Sequence, residues 1–461
     1  MNLESLIKSS ADFLRMAMKQ NKAPDKIISE VFREKKYFGS KDRKFISELV
    51  FSSIRNFTLY KYMSEQLSDN NKDLELKVTI INCAVSSNSE YWFAFNIIHL
   101  LNKVQSSKDE LNNIISQFIT NEGMFTSNDI KNFNDNLFSL LSNLINDAND
   151  HNSLSNLYSF PTWLMNRLSN NLDLKGILHN SLRPAPTFIR INNHLNNKEL
   201  IIKYLENEGI NYKFGNLSPA AIMIEDRVKL DDNELFKSGL YEIQDEGSQL
   251  ISYALAPSQN SRILDACAGA GGKSLHIADI TNDKSEIIAT DTEFGRLKEI
   301  SKRAARSGLK SITAKHIKNQ DFDSLMKLYN FKPFDYVLVD APCSGMGTIR
   351  RDPSRKFKVT ESLISRLADK QYRILEQYSK FVKKGGILVY STCSLLRDEN
   401  ENIVDKFLNK NINFEPDSLI HPLAEFGIEI PDLKPDDYRI AIAFDKYNND
   451  GFFISRMKRV N

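Results

Sequence analysis

The chain has 461 residues, too many for one hydrophobic core and enough for two or three domains. Hydrophobic residues make up 41% and charged residues 26%, a globular balance that excludes a disordered or collagen-like chain. The net charge of +2 hides an uneven distribution: Ser301 to Tyr390 carries 19 Lys/Arg against 8 Asp/Glu, an excess of 11 that suits a polyanionic partner.

The opening residues Met1 to Lys8 contain no apolar signal region, and no run approaches the roughly 18 apolar residues of a membrane span. A cytoplasmic location without a membrane partner is the expectation. Cys83, Cys267, Cys343 and Cys393 lie far apart, so neither a disulfide framework nor a zinc ribbon fits. Reduced thiols and no metal are expected.

From residue 1 to 145 apolar residues recur at helical spacing, as in Leu6, Phe13, Leu14 and Met18 and again in Phe45, Ile46, Leu49 and Val50. This predicts an all-α N-terminal domain. Asn146 to Ser155, rich in Asn, Asp and Ser, reads as a linker. A small α+β domain follows over 155–245, with strands at Phe188 and Ala220 and a helix from Lys198 to Glu208. Over 246–461 strand and helix signals alternate: strands at Arg262–Asp265, Glu286–Asp291, Asp335–Asp340 and Gly386–Tyr390, with helices such as Glu293–Ser307 and Glu361–Val382. Such alternation predicts an α/β, Rossmann-like domain with a parallel-rich, doubly wound sheet.

The first of these strands runs into Cys267-Ala268-Gly269-Ala270-Gly271-Gly272-Lys273. Glycines there let the backbone turn tightly into a helix N-terminus and approach a ligand. Asp291, at the end of the next strand, suits ribose hydroxyls. Nicotinamide, flavin and S-adenosylmethionine enzymes share this pattern. A P-loop is excluded, because its first Gly would fall at Cys267.

Two further strands end in Asp340-Ala341-Pro342-Cys343 and Thr392-Cys393-Ser394. Ligands of open α/β sheets bind beyond the carboxyl ends of the strands, so two thiols there point to covalent catalysis. Methylation at carbon 5 of a pyrimidine needs this equipment. A thiolate adding to carbon 6 makes carbon 5 nucleophilic, a carboxyl group near ring nitrogen 3 stabilises the developing charge, and a second thiol assists release. Spacing alone leaves open which thiol attacks. A nicotinamide dehydrogenase would leave the thiol pair without a use.

At these residues the chain resembles the Sun/Nop family of S-adenosylmethionine-dependent RNA cytosine-5 methyltransferases. The matching stretches are Leu264 to Ser274, Phe334 to Lys358, Gly385 to Asn400, Gln244 to Gln249 and Asp450 to Phe453. The N-terminal helices look like a NusB-type RNA-binding domain. The resemblance implies a class I methyltransferase acting on a cytosine of small-subunit (16S) rRNA, with Cys393 as nucleophile, Cys343 assisting release and Asp340 at the cytosine ring and the methionyl end of the cofactor. Cys267, Ala268, Gly269, Ala270, Gly271, Gly272 and Lys273 would hold S-adenosylmethionine, with Asp291 on its ribose. DNA cytosine methyltransferases attack with the Pro-Cys thiol instead, which makes Cys343 the competing nucleophile. Ala270 stands where the family usually has Pro, and Ile317-Lys318-Asn319 where it has an acid for the adenine amine, a role open to Asn319 or Asp321. Arg350 and Arg351 read as phosphate contacts after the catalytic loop. The alternative is a non-catalytic RNA-binding assembly factor that keeps the fold.

Overall fold

The protein was analysed as a computed structural model that describes residues 2–68, 73–87, 101, 104–120, 124–126, 129–146, 150–169, 172–195, 197–226, 228–317, 322–330 and 332–461. It divides into two compact units. The first joins Met1–Arg167 with Leu174–Pro184 and Ile349–Val359, and the second holds Leu168–Asp173, Ala185–Thr348 and Thr360–Asn461.

The first unit is helical. Helix Leu3–Lys19 starts at Asn2, whose side chain accepts from the Ser5 N–H, and it buries Leu6, Phe13 and Leu14. Phe13, Phe32 and Phe38 pack in tilted and edge-on contacts with ring centroids 5.2–6.0 Å apart, and Cys83 is fully buried in the same core. The stretch read as a linker is in part a helix, His151–Tyr158. Its N-terminus is capped by Asp150, whose carboxylate accepts from the N–H groups of Asn152 and Ser153. Asx- and Ser-rich sequence serves caps as well as loops, and composition alone does not separate the two.

The segment Ile349–Val359 belongs to this helical unit. Arg350 is only 3% exposed, and its guanidinium donates to the carbonyls of Arg183 and Pro184. That corrects the reading of Arg350 as a phosphate contact: a nearly buried guanidinium turned onto two backbone carbonyls does not face a polyanion. Arg351 is exposed. Lys356, 1% exposed, donates to the Arg55 carbonyl at 3.3 Å, and Phe357 packs edge-on against Phe57. Burial, then the Arg55 cation, pushes Lys356 down to about 7.

The second unit contains two sheets. In the smaller, β1 (Thr187–Ile191), β2 (Tyr212–Phe214), β3 (Ala221–Ile224) and β4 (Tyr241–Ile243) are antiparallel in the order β2-β3-β1-β4. Helix Lys198–Asn207 covers it through Ile201 and Leu205.

The larger sheet has eight strands: β5 (Arg262–Asp265), β6 (Glu286–Asp291), β7 (Ile312–His316), β8 (Phe334–Asp340), β9 (Val382–Thr392), β10 (Phe414–Pro416), β11 (Arg439–Ile442) and β12 (Phe452–Arg459). The order is β10-β12-β9-β8-β5-β6-β7, with β11 on β12. Strands β5 to β9 pair in parallel, and β12 runs antiparallel to β9. Both faces are covered. Leu264, Val337, Val339 and Tyr390 enter one core, whereas their neighbours Ile263, Leu338 and Val389 enter the other. Among the described residues, no helix is long and apolar enough to cross a membrane.

Candidate active site

The chain goes from β5 outward to β6 and β7, then returns to β8 on the other side of β5. That reversal makes the crevice between β5 and β8 the switch point where open α/β sheets bind ligands. Every residue expected at the site, Cys267 to Lys273, Asp291, Asp340, Cys343 and Cys393, lies in the turns beyond the carboxyl ends of β5, β8 and β9, opens the helix after β5, or closes β6 or β8.

The turn after β5 is built for close approach. Gly269 and Gly271 have φ of +56° and +83°. At Gly269 a side chain would meet nothing within 4 Å, whereas at Gly271 a Cβ would lie 2.8 Å from Ile300. The turn opens helix Gly272–Ile280. Asp291 fastens it, accepting from the Gly269 N–H at 2.9 Å and the Glu293 N–H at 2.8 Å. Each oxygen keeps a lone pair for a further donor. Asp265, fully buried, accepts from Ser274 Oγ at 2.6 Å, and burial followed by the nearby Asp340 charge pushes it up to about 6. Its Oδ1 has no partner among the described residues. Lys318, Asn319 and Asp321 lie outside the described residues.

Two arginines that the sequence reading missed reach this turn, one from the small sheet and one from helix Phe294–Arg306. Arg190 on β1, fully buried, donates to the Gly272 carbonyl at 2.9 Å, to Asn192 Oδ1 at 3.0 Å and to Gln244 Oε1. Arg303 donates to the Ala270 carbonyl at 2.7 Å and, with Arg306, pairs with Glu242 on β4. Two guanidinium groups thus hold the carbonyl side of the turn.

At the other end of the crevice Asp340 and Ser391 face each other across β8 and β9. Asp340 accepts from Lys273 Nζ at 2.6 Å and Ser391 Oγ at 2.9 Å. Burial lowers the Lys273 pKa, but the Asp340 carboxylate outweighs it and the ammonium is held above its ordinary value. Beyond these residues Cys343 Sγ and Cys393 Sγ lie 3.2 Å apart, both partly buried. The contact with Cys393 and then burial raise the Cys343 pKa and hold that thiol neutral. The Cys393 carbonyl accepts from the Gly347 N–H at 2.9 Å, and Gly347 accepts from Gly451 at 2.8 Å. A Cβ on Gly347 would come within 2.0 Å of the Gly451 carbonyl, so glycine is required. The Asp450–Phe453 stretch is thereby tied to the thiol loop.

A doubly covered, parallel-rich sheet with a glycine turn after β5 and an antiparallel β12 beside β9 defines a Rossmann-like methyltransferase. The family model of 16S rRNA methyltransferase RsmB/F matches residues 252–458, and that of the ferredoxin-like domain of RsmF/B-like methyltransferases matches residues 160–231. Ribosomal RNA small subunit methyltransferase B of Shewanella oneidensis is 30% identical over 312 residues, 67% of this chain and 69% of that protein. The probable ribosomal RNA small subunit methyltransferase B of Bacillus subtilis is 33% identical over 304 residues, 65% of this chain and 66% of its own length. A methyltransferase homolog from Pyrococcus horikoshii, 26% identical, superposes with a TM-score of 0.55 over 66% of this chain and 97% of that one. The chain belongs to the RsmB/F family of rRNA methyltransferases.

Proposed function

We propose that this enzyme methylates carbon 5 of a cytosine in small-subunit rRNA, through a covalent bond between Cys393 Sγ and carbon 6 of the base. The observation that carries the reading is the thiol pair, 3.2 Å apart at the ends of adjacent parallel strands and two to three residues from Asp340 and Ser391. S-adenosylmethionine, when bound, supplies the electrophilic methyl group. The turn Cys267 to Lys273 fits that ligand: open space at Gly269 admits it, Asp265 Oδ1 offers a buried acceptor, and Asp291 retains lone pairs for ribose hydroxyls. The Lys273–Asp340 pair matches the carboxylate and ammonium of a methionyl group.

In this mechanism the flipped cytosine leaves its stack, at a cost of a few kcal/mol, to meet the thiols. Cys393 attacks as the thiolate, and its sulfur electrons form the bond to carbon 6. Asp340, beside Lys273, takes up the proton given up by the Cys393 thiol and donates it to ring nitrogen 3, where negative charge would otherwise develop; the proton returns to Asp340 when the adduct breaks down. After methylation the carbon 5 proton leaves to water, and its bonding electrons restore the double bond. The Cys393–carbon 6 bond breaks, and the neutral Cys343 thiol protonates the departing sulfur.

Incubation of the purified protein with S-adenosylmethionine and small-subunit rRNA tests the reading by bisulfite sequencing and denaturing gels. The expected result is one new 5-methylcytosine, no product with Cys393→Ala, and an accumulating protein–RNA adduct with Cys343→Ala. An adduct that survives Cys393→Ala would transfer the attack to Cys343. Absence of methyl transfer by the intact protein on both naked rRNA and small-subunit particles would reduce it to an RNA-binding assembly factor.

A further inference from the structure

One buried carboxylate links the two thiol loops, and nothing in the covalent mechanism yet uses it. Glu399 is fully buried in the short turn between β9 and helix Glu401–Lys410. Its Oε1 accepts from the Ser344 N–H at 2.8 Å and from Gln371 Nε2 at 3.0 Å. Its Oε2 accepts from the hydroxyls of Ser344 and Ser394. Ser344 follows Cys343 and Ser394 follows Cys393, so a single side chain grips the residue after each thiol. Gln371 also donates to the Pro342 carbonyl at 3.0 Å, which ties the residue before Cys343 to the same hub.

A buried carboxylate with four donors is rigid. Hydrogen bonds to a carboxylate are stronger than those between neutral groups, and unpairing any one donor in a dry site is costly. The flanking residues reinforce it: Asn400 accepts from Thr392 Oγ1 at 2.6 Å and donates to the Ser394 carbonyl at 2.9 Å. The Tyr390 hydroxyl donates to the Glu399 carbonyl at 2.7 Å. Loops from β8 and β9, 50 residues apart in sequence, are thus held to one separation.

We infer that Glu399 is a positioning residue that sets the Cys343–Cys393 distance and so couples attack by one thiol to release by the other. The inference rests on the covalent reading above. Attack by Cys393 does not use the Cys343 proton. Release needs Cys343 within proton-transfer reach of that sulfur. Loosening the hub therefore slows release more than attack. Glu399→Gln replaces an acceptor by an amide that cannot satisfy four donors, while leaving the glycine turn untouched.

The test follows adduct level, single-turnover methylation and S-adenosylmethionine affinity in wild type, Cys343→Ala and Glu399→Gln. The expected result for Glu399→Gln is an adduct that accumulates as in Cys343→Ala, with turnover slowed about 10- to 100-fold and cofactor affinity unchanged. Should Glu399→Gln not fold, the double variant Ser344→Ala/Ser394→Ala, which deletes only the two hydroxyl donors, carries the same test. Wild-type turnover without adduct, or equal loss of attack and release with no adduct, overturns the inference. The readings separate cleanly: absence of adduct in Cys343→Ala defeats the covalent mechanism, whereas adduct there with wild-type behaviour in Glu399→Gln defeats only the role of Glu399.

Discussion

Around the thiols, a carboxylate gathers N–H and O–H donors from two loops of the large sheet. Around the glycine turn, Arg190 and Arg303 gather carbonyl oxygens, and their partners Gln244 and Glu242 belong to the segment that ends the small sheet. The signs are opposite because the free groups are opposite. The residues after each thiol present N–H and hydroxyl groups to Glu399, whereas the glycine turn presents the Gly272 and Ala270 carbonyls to Arg190 and Arg303. The thiol end is therefore closed within one sheet. The cofactor end depends on a second module, and that dependence is open to experiment.

Arg190→Met should have the largest effect. It removes the donor for Gly272, Asn192 and Gln244 and leaves buried acceptors unpaired, a loss of about 3 kcal/mol or more. The expected outcome by calorimetry is at least about tenfold weaker S-adenosylmethionine binding with RNA affinity retained. Unchanged cofactor affinity would break the comparison by showing that the turn stands without the small sheet. Gly347→Ala probes the other end. Its Cβ would meet the Gly451 carbonyl, so the Cys393 loop must shift, at about 1–3 kcal/mol. Denaturant unfolding should show that loss, and turnover should fall while cofactor affinity holds.

The smallest effect concerns pH. His194, beside the small sheet, has Asp279 Oδ1 at 2.7 Å from Nδ1 and the Ser307 carbonyl at 3.0 Å from Nε2. Both neighbours are acceptors, so both ring nitrogens carry protons and the imidazolium is the fitting form. Burial lowers its pKa, but the bonds to Asp279 and Ser307, with the charges of Asp279 and Asp283, raise it above its ordinary 6.5. A pKa raised on folding contributes stability that is complete below 6.5 and fades as pH rises through the folded value. Melting curves from pH 5 to 9 should show that decline, and His194→Gln should flatten it. A decline that persists in the variant would place the titration elsewhere.

Much of the site could be read directly along the chain. Gly269, Gly271, Asp291, Asp340, Cys343 and Cys393 each sit within a few residues of a strand end, and strand ends announce themselves through apolar runs closed by Gly, Pro or Ser. Arg350 shows where such reading stops. Its neighbours along the chain suggested phosphates, yet its partners are the carbonyls of residues 183 and 184. Glu399 and Arg190 were passed over for the same reason, since a lone charge in a turn or strand carries no local sign that it will be buried.

Sequence by itself determined the parallel alternation, the glycine turn and the presence of two thiols at strand ends, because backbone periodicity and glycine geometry act over a few residues. Tertiary structure alone decided which buried charges meet which donors: Glu399 with Ser344, Ser394 and Gln371, Arg190 with Gly272, and Lys356 with Arg55. Those pairings join residues up to 301 positions apart. Their energy comes from exclusion of water, which exists only once the whole chain has closed around them.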